Sequence, residues 1–205
     1  MTHSTVSAIA ADWLRRPATD VAPDLIGCSL VRQFDDGSLY RGVIVETEAY
    51  TPGDPACHAY RRRTARNEVM FGPPGFCYVY LIYGMYHCIN VVTNHDTVPS
   101  AVLIRALDLD RLPPWIDEKQ RKKPQRVAAG PGKLCRALQI DRTLNGARFD
   151  LGQPLWLEPR TASFQQSIVD GSVKLVQTTR IGLTQGVELP WRWYVADCSA
   201  VSKKG

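Results

Sequence analysis

The chain lacks any C-x-x-C pair and any cysteine-to-histidine spacing of the finger type, so its six cysteines are not the ligand set of a structural zinc site and read as reduced core thiols. It has little that could cross a membrane. The one long stretch without a formal charge, residues 69–95, is interrupted by Pro73, Pro74, Gly84, His87, Asn90 and Asn94, and reads better as buried and half-buried strands. Arg15 and Arg16 follow the short apolar stretch 8–11 rather than precede it, the wrong order for a secretory signal, and the expected compartment is the cytoplasm. Gly130-Pro131-Gly132-Lys133 is a fragment of a phosphate loop without the G-x-x-x-x-G-K-[ST] spacing, which excludes a nucleoside triphosphatase of that type. There is no internal repeat, low-complexity stretch or domain boundary.

What is present fits one globular domain. The 205 residues are 44% hydrophobic and 22% charged, near the average for folded proteins. Residues 1–19 are expected as a flexible leader and 198–205 as a tail. Lys plus Arg number 25 against 20 for Asp plus Glu, a balance that suits an anionic partner such as nucleic acid.

Several strands can be placed. The segments 28–33 and 39–50 are β-rich and flank Asp35-Asp36-Gly37, a hairpin signal, and 78–83 and 85–92 flank Gly84 in the same way. The second hairpin would carry Tyr83, Gly84 and Met85 at its tip. Further strands are expected at 101–107, 155–157, 173–179 and 191–196. Helical pieces are expected within 1–25, broken by Pro17 and Pro23, and from Gly130 onward, ended by Asn145-Gly146. Residues 109–125 have the composition of an exposed basic loop.

Three features could carry chemistry. Glu46, Glu48 and Tyr50 share one face of an extended strand, and an unpaired carboxylate in an apolar strand is costly enough to be a general-base candidate. The alternative is that both glutamates pair with arginines on a solvated face, and spacing does not choose between Glu46 and Glu48. Tyr50, His58, Tyr78, Tyr80, Tyr83 and Tyr86 crowd one stretch, either as a platform on which a nucleobase stacks or as core filling. Arg61, Arg62, Arg63 and Arg66, with the cluster from Lys119 to Arg126, could neutralise phosphates or simply face solvent.

The run Val45-Glu46-Thr47-Glu48-Ala49-Tyr50, then His58, then Tyr78-Val79-Tyr80-Leu81-Ile82-Tyr83-Gly84-Met85-Tyr86 and Asn90, resembles the alkyladenine (3-methyladenine) DNA glycosylase family. The resemblance continues through 103–107, 130–135 and Arg180-Ile181-Gly182, covering residues 20–195. It implies a single mixed α/β domain on a curved antiparallel sheet, with peripheral helices and a hairpin that enters the DNA minor groove. It also implies a monomeric base-excision enzyme without cofactor or metal, acting on double-stranded DNA with damaged purines, without a membrane or an obligate protein partner, and nucleoid-associated in a bacterium.

Carried over by residue, the resemblance makes Glu48 the base that activates a water, held also by Arg105 and the backbone carbonyl of Ile181. Tyr50 and His58 would stack on one side of the flipped base and Tyr80 on the other, with Asn90 against its minor-groove edge. Tyr83 would fill the space left in the duplex, Met85 would wedge beside it, and Lys133 would meet DNA. Two departures from the vertebrate enzyme are a 50–58 loop one residue shorter and histidine instead of phenylalanine at position 87. Rival readings are a non-enzymatic damage-recognition or RNA-binding module, and a metal-dependent hydrolase built from His58, His87, His95 and a cysteine.

Overall fold

The Asp35-Asp36-Gly37 turn joins two antiparallel strands, β1 (Ser29–Gln33) and β2 (Leu39–Tyr50), in the computed structural model, which describes residues 7–205. Gly37 takes φ 81°, a conformation that costs glycine little. The first six residues of the expected leader lie outside the described residues. Farther along, Ile9 and Leu14 are buried.

The remaining strands are β3 (Cys77–Ile82), β4 (Tyr86–Val92), β5 (Ala101–Leu109), β6 (Leu155–Glu158), β7 (Leu175–Thr178) and β8 (Arg192–Val195). With β1 and β2 they form one antiparallel sheet ordered β3-β4-β5-β2-β1-β6, in which β7 pairs with β8 and β8 with β2. The long β2 is the branch point. One of its edges pairs with β5, while the other pairs with β1 over residues 39–43 and with β8 over residues 46–48. The change of partner curls the sheet and brings β8 against the second half of β2. The result is a single mixed α/β domain on a curled antiparallel sheet, as expected.

The β2–β5 pairing is irregular at one place. Ile44 faces Leu107, Glu46 faces Ala106 and Thr47 faces Ile104, so Val45 on one strand and Arg105 on the other have no cross-strand partner. Each strand bulges once. Bulges re-aim side chains and occur often beside functional sites, and here they bring Arg105 to Glu46 and Glu48.

Helix α1 (Ala18–Leu25) packs Val21, Ala22 and Leu25 into the core, and the Thr47 hydroxyl donates to the Ala22 carbonyl at 2.8 Å. Pro23 lies inside this helix and does not break it, contrary to the sequence expectation. Its missing N–H costs one bond, to the Thr19 carbonyl, whereas each large apolar side chain buried on the helix contributes roughly 1.5–3 kcal/mol. The helix after Gly130 is also shorter than expected: α3 (Pro131–Ala137) stops before Gln139, which takes φ 49°, and not at Asn145-Gly146.

The basic segment contains the one-turn helix α2 (Glu118–Arg121) and is pinned to α3 by the Trp115 indole, which donates to the Ala137 carbonyl. In the cluster from Lys119 to Arg126, two arginines are held by backbone carbonyls. Arg121 donates to the Ile116 and Pro113 carbonyls, and Arg126 to those of Ser199, Val201 and Ser202. Helix α4 (Ala162–Val169), capped by Thr161, lies outside the sequence expectation: it has no fully buried residue, and its apolar pattern, Phe164 and Ile168, spans a single turn. All six cysteines are free. No helix among the described residues is long and apolar enough to cross a membrane.

Candidate active site

The β3–β4 hairpin closes with Tyr83 and Gly84 both left-handed, at φ 53° and 70°, and with Met85 N–H donating to the Ile82 carbonyl. Ile82 and Tyr86 pair across the tip, so the loop is the three residues Tyr83, Gly84 and Met85. Tyr83 is 78% exposed and Met85 66%, so neither is core filling. Gly132, at the start of α3, lies so close that a Cβ there would meet the Tyr86 ring at 3.1 Å.

Beside this hairpin opens a cavity of about 580 Å³. Tyr50, His58, Tyr80, Asn90, Arg105 and Ile181 line it, and Tyr83 and Lys133 stand on its wall, so eight of the ten residues singled out by the resemblance meet at one place. Met85 extends the same hairpin tip. The aromatic residues divide between the two readings offered by the sequence: Tyr78 is core, whereas Tyr50 and Tyr80 are half-buried around the cavity.

Glu48 is fully buried directly behind the cavity floor. Its Oε1 accepts from the Ile181 N–H at 2.8 Å and lies 3.2 Å from an Arg105 Nη, while its Oε2 accepts from the Tyr50 hydroxyl at 2.8 Å. All three partners line the cavity. Glu46 points to the same side of β2 and is also fully buried, but of its partners only Arg105 lines the cavity. It accepts from Arg105 Nε at 3.1 Å, from Arg192 at 3.0 Å, and from the hydroxyl and backbone N–H of Ser202. Both glutamates do pair with arginines, but in the interior and not on a solvated face.

Burial alone would pull the Arg105 guanidinium down, but Glu48 and then Glu46 outweigh it and raise its pKa, so it stays protonated. Burial, and then the charge of Glu48, push the Tyr50 phenol well above its ordinary value, which keeps its hydroxyl a donor to Glu48 at neutral pH. The Tyr80 phenol is raised by burial in the same way. His58 places Nδ1 2.9 Å from the Tyr78 hydroxyl and meets the Tyr80 ring edge-on, centroids 4.5 Å apart. Desolvation by its neighbours and then the nearby charge of Arg66 pull its pKa below 6.5. Asn90 is buried and donates to the Tyr78 carbonyl at 3.0 Å, which fixes its amide at the cavity wall.

The model of methylpurine-DNA glycosylases matches residues 12–199. The chain belongs to that family. Its members are hydrolases acting on N-glycosyl bonds, and the substrate is DNA. Among related proteins whose names assign them to the 3-methyladenine DNA glycosylases, one from Trichodesmium erythraeum is 61% identical over 93% of this chain and 95% of its own length. One from a Synechococcus strain is 59% identical over 94% and 98%. One from Methanocella arvoryzae is 45% identical over 94% of each. Among the described residues no group of three or more His, Cys, Asp or Glu could hold a metal.

Sequence reasoning gave no role to Arg192, Arg180 or Asp54, all buried beside the site. A signal was there for the first of them. Arg192 stands alone among Trp191, Trp193 and Tyr194, and a cation in so apolar a run must find a buried carboxylate. Asp54 and Arg180 are 126 residues apart and give no such local hint.

Proposed function

We propose that this glycosylase flips a damaged purine out of duplex DNA into the cavity and hydrolyses its N-glycosidic bond with a water activated by Glu48. The observation that carries this reading is a fully buried carboxylate whose three partners, Tyr50, Arg105 and Ile181, all form part of the cavity floor. A water held at that floor by Arg105 and the Ile181 carbonyl is one hydrogen bond from the Glu48 oxygens. As it attacks C1′, the bond from C1′ to the base nitrogen breaks, a C1′–O bond forms, and the water proton passes to Glu48. The carboxylate also opposes the positive charge that develops on the sugar.

The flipped base stacks between Tyr50 and His58 on one side and Tyr80 on the other. His58 and Tyr80 touch in the structure, so they separate as the base enters. Asn90 faces the minor-groove edge of the base and excludes the exocyclic amino group of normal guanine. Tyr83 fills the gap left in the duplex, with Met85 beside it, and Lys133 meets the DNA. The substrates are alkylated or deaminated purines: 3-methyladenine, 7-methylguanine, hypoxanthine and ethenoadenine. The first two already carry positive charge and leave readily, whereas neutral hypoxanthine must gain a proton to leave, so its release depends more steeply on acid.

The nucleophile in this reading is water and not an amine, which makes the enzyme monofunctional and its product an intact abasic strand. Lys133 is the amine to exclude, since it stands on the cavity wall. The test is single-turnover release of free base from duplexes holding one hypoxanthine, one ethenoadenine or one 3-methyladenine-type lesion, in excess chelator, with Glu48→Gln alongside and a borohydride trap for an imine. Release by the wild type alone, with no trapped adduct, is expected. Equal release by Glu48→Gln overturns the role of the carboxylate, and a trapped adduct overturns that of water.

A further inference from the structure

Behind the cavity, three segments of the chain converge on one buried guanidinium. Arg180 has no exposed side-chain surface, and neither has the Asp54 carboxylate that it grips with both terminal nitrogens, one of them at 2.9 Å. The same two nitrogens donate to the Ala49 carbonyl at 3.0 Å and the Gly186 carbonyl at 3.1 Å. The guanidinium also lies between two rings, 4.7 Å from the centre of Tyr50 and 5.2 Å from that of Trp191. Gly186 closes over the pair at φ 59°. A Cβ there would meet Asp54 Oδ1 at 2.9 Å and Arg180 Nη2 at 3.1 Å.

The place of this cluster matters more than its charge. A buried ion pair is a poor source of stability, because desolvating both groups offsets most of their attraction. What arginine offers over an apolar side chain is a planar fork that fixes several partners at set angles. The partners fixed here lead directly to the site. Tyr50, against one face of the fork, is the ring on which the base would stack. Ile181, the residue after Arg180, holds Glu48 through its N–H. Asp54 also accepts from the N–H of Ala56, which lines the cavity.

We infer that Arg180 and Asp54, closed over by Gly186, form a positioning clasp that holds the Tyr50 ring and the Ile181 backbone in register with Glu48, so that base release, and not DNA capture, depends on it. This rests on the glycosylase mechanism proposed above. The hairpin tip is not part of the clasp, so binding to duplex that carries an abasic analogue is expected to be preserved. Reacting groups displaced by a fraction of an ångström to an ångström slow a reaction by about 10- to 100-fold.

Two variants test it, Arg180→Lys, which keeps the charge and loses the fork, and Gly186→Ala, which keeps both charges and pushes on the clasp from outside. Affinity for duplex holding a tetrahydrofuran abasic analogue is measured, followed by single-turnover release from hypoxanthine and 7-methylguanine duplexes at saturating enzyme. In both variants the clasp predicts affinity within about twofold of wild type and a release rate constant lower by about 10-fold or more, with the neutral hypoxanthine losing more than the cationic base. A purely structural role lowers the fraction of active enzyme, read by titration with the abasic duplex, and leaves the rate constant and the ratio of the two bases unchanged. That result overturns the clasp. Should Arg180→Lys fail to fold, Gly186→Ala decides by the same two readings. A wild type that releases no base from any duplex overturns the glycosylase mechanism itself, and the clasp with it.

Discussion

Glu46 and Glu48 stand two residues apart on the same face of β2, both without exposed surface and both against Arg105. Glu46 accepts four hydrogen bonds, and these tie β5, β8 and the segment around Ser202 to one point. Glu48 accepts two, from the Ile181 N–H and the Tyr50 hydroxyl, beside its ion pair with Arg105. A carboxylate offers about four lone-pair sites. The filled one is a fastener, and the one with capacity left is suited to hold a water. The type of residue and its burial are the same, so the function of each lies in what its neighbours leave unused.

That contrast can be broken by experiment. Glu48→Gln keeps the shape and loses the base, and a fall of about 10²- to 10⁴-fold in single-turnover release is expected with DNA binding retained. Glu46→Gln should reverse the balance. Leaving Arg192 without its buried partner costs about 3–5 kcal/mol, read from urea unfolding, while the rate constant of the folded fraction falls less than in Glu48→Gln. A Glu46 variant that is stable but inactive would exchange the two assignments.

Smaller effects sharpen the same comparison. Tyr50→Phe removes one charge-assisted hydrogen bond from Glu48 Oε2 but leaves the stacking surface, so a fall of about 10- to 100-fold in release is expected, at unchanged affinity for an abasic analogue. Tyr83→Ser, on the exposed tip, should leave stability within about 0.5 kcal/mol while weakening binding to damaged duplex more than to undamaged duplex. Equal weakening of the two would argue against insertion into the helix. The least effect is expected from pH. Because the folded-state pKa of His58 is pulled below 6.5, the unfolded chain takes up the proton first. The resulting contribution is present above pH 6.5 and is lost as pH falls below it, so wild type should lose slightly more stability between pH 7 and pH 5 than His58→Gln does.

Most of the sheet was legible from its turns. Asp35-Asp36-Gly37 and Tyr83-Gly84 mark hairpins because Gly37 and Gly84 accept left-handed backbone at little cost, and β-branched and aromatic runs flank them. The helices were less legible, since α1 survives Pro23 through packing that no local rule contains, and α4 packs only the half-buried Phe164 against the core. Within the site, alternation placed Glu46 and Glu48 together but could not tell them apart. The difference arises from Arg192, Ser202 and Ile181, which reach β2 from more than 130 residues away. The resemblance to a known family, and not the spacing, selected Glu48.

The paired bulges at Val45 and Arg105 carry a consequence for how such a sheet can change over time. A bulge absorbs one extra residue locally, and pairing resumes in phase beyond it. Deleting Val45 would let β2 close up with Glu46 and Glu48 still opposite Ala106 and Leu103. Deleting Arg105 would close β5 in the same way but would take with it the cation that both glutamates share. The sheet can lose either irregularity and keep its pairing, yet only one of the two losses leaves the carboxylates their common partner.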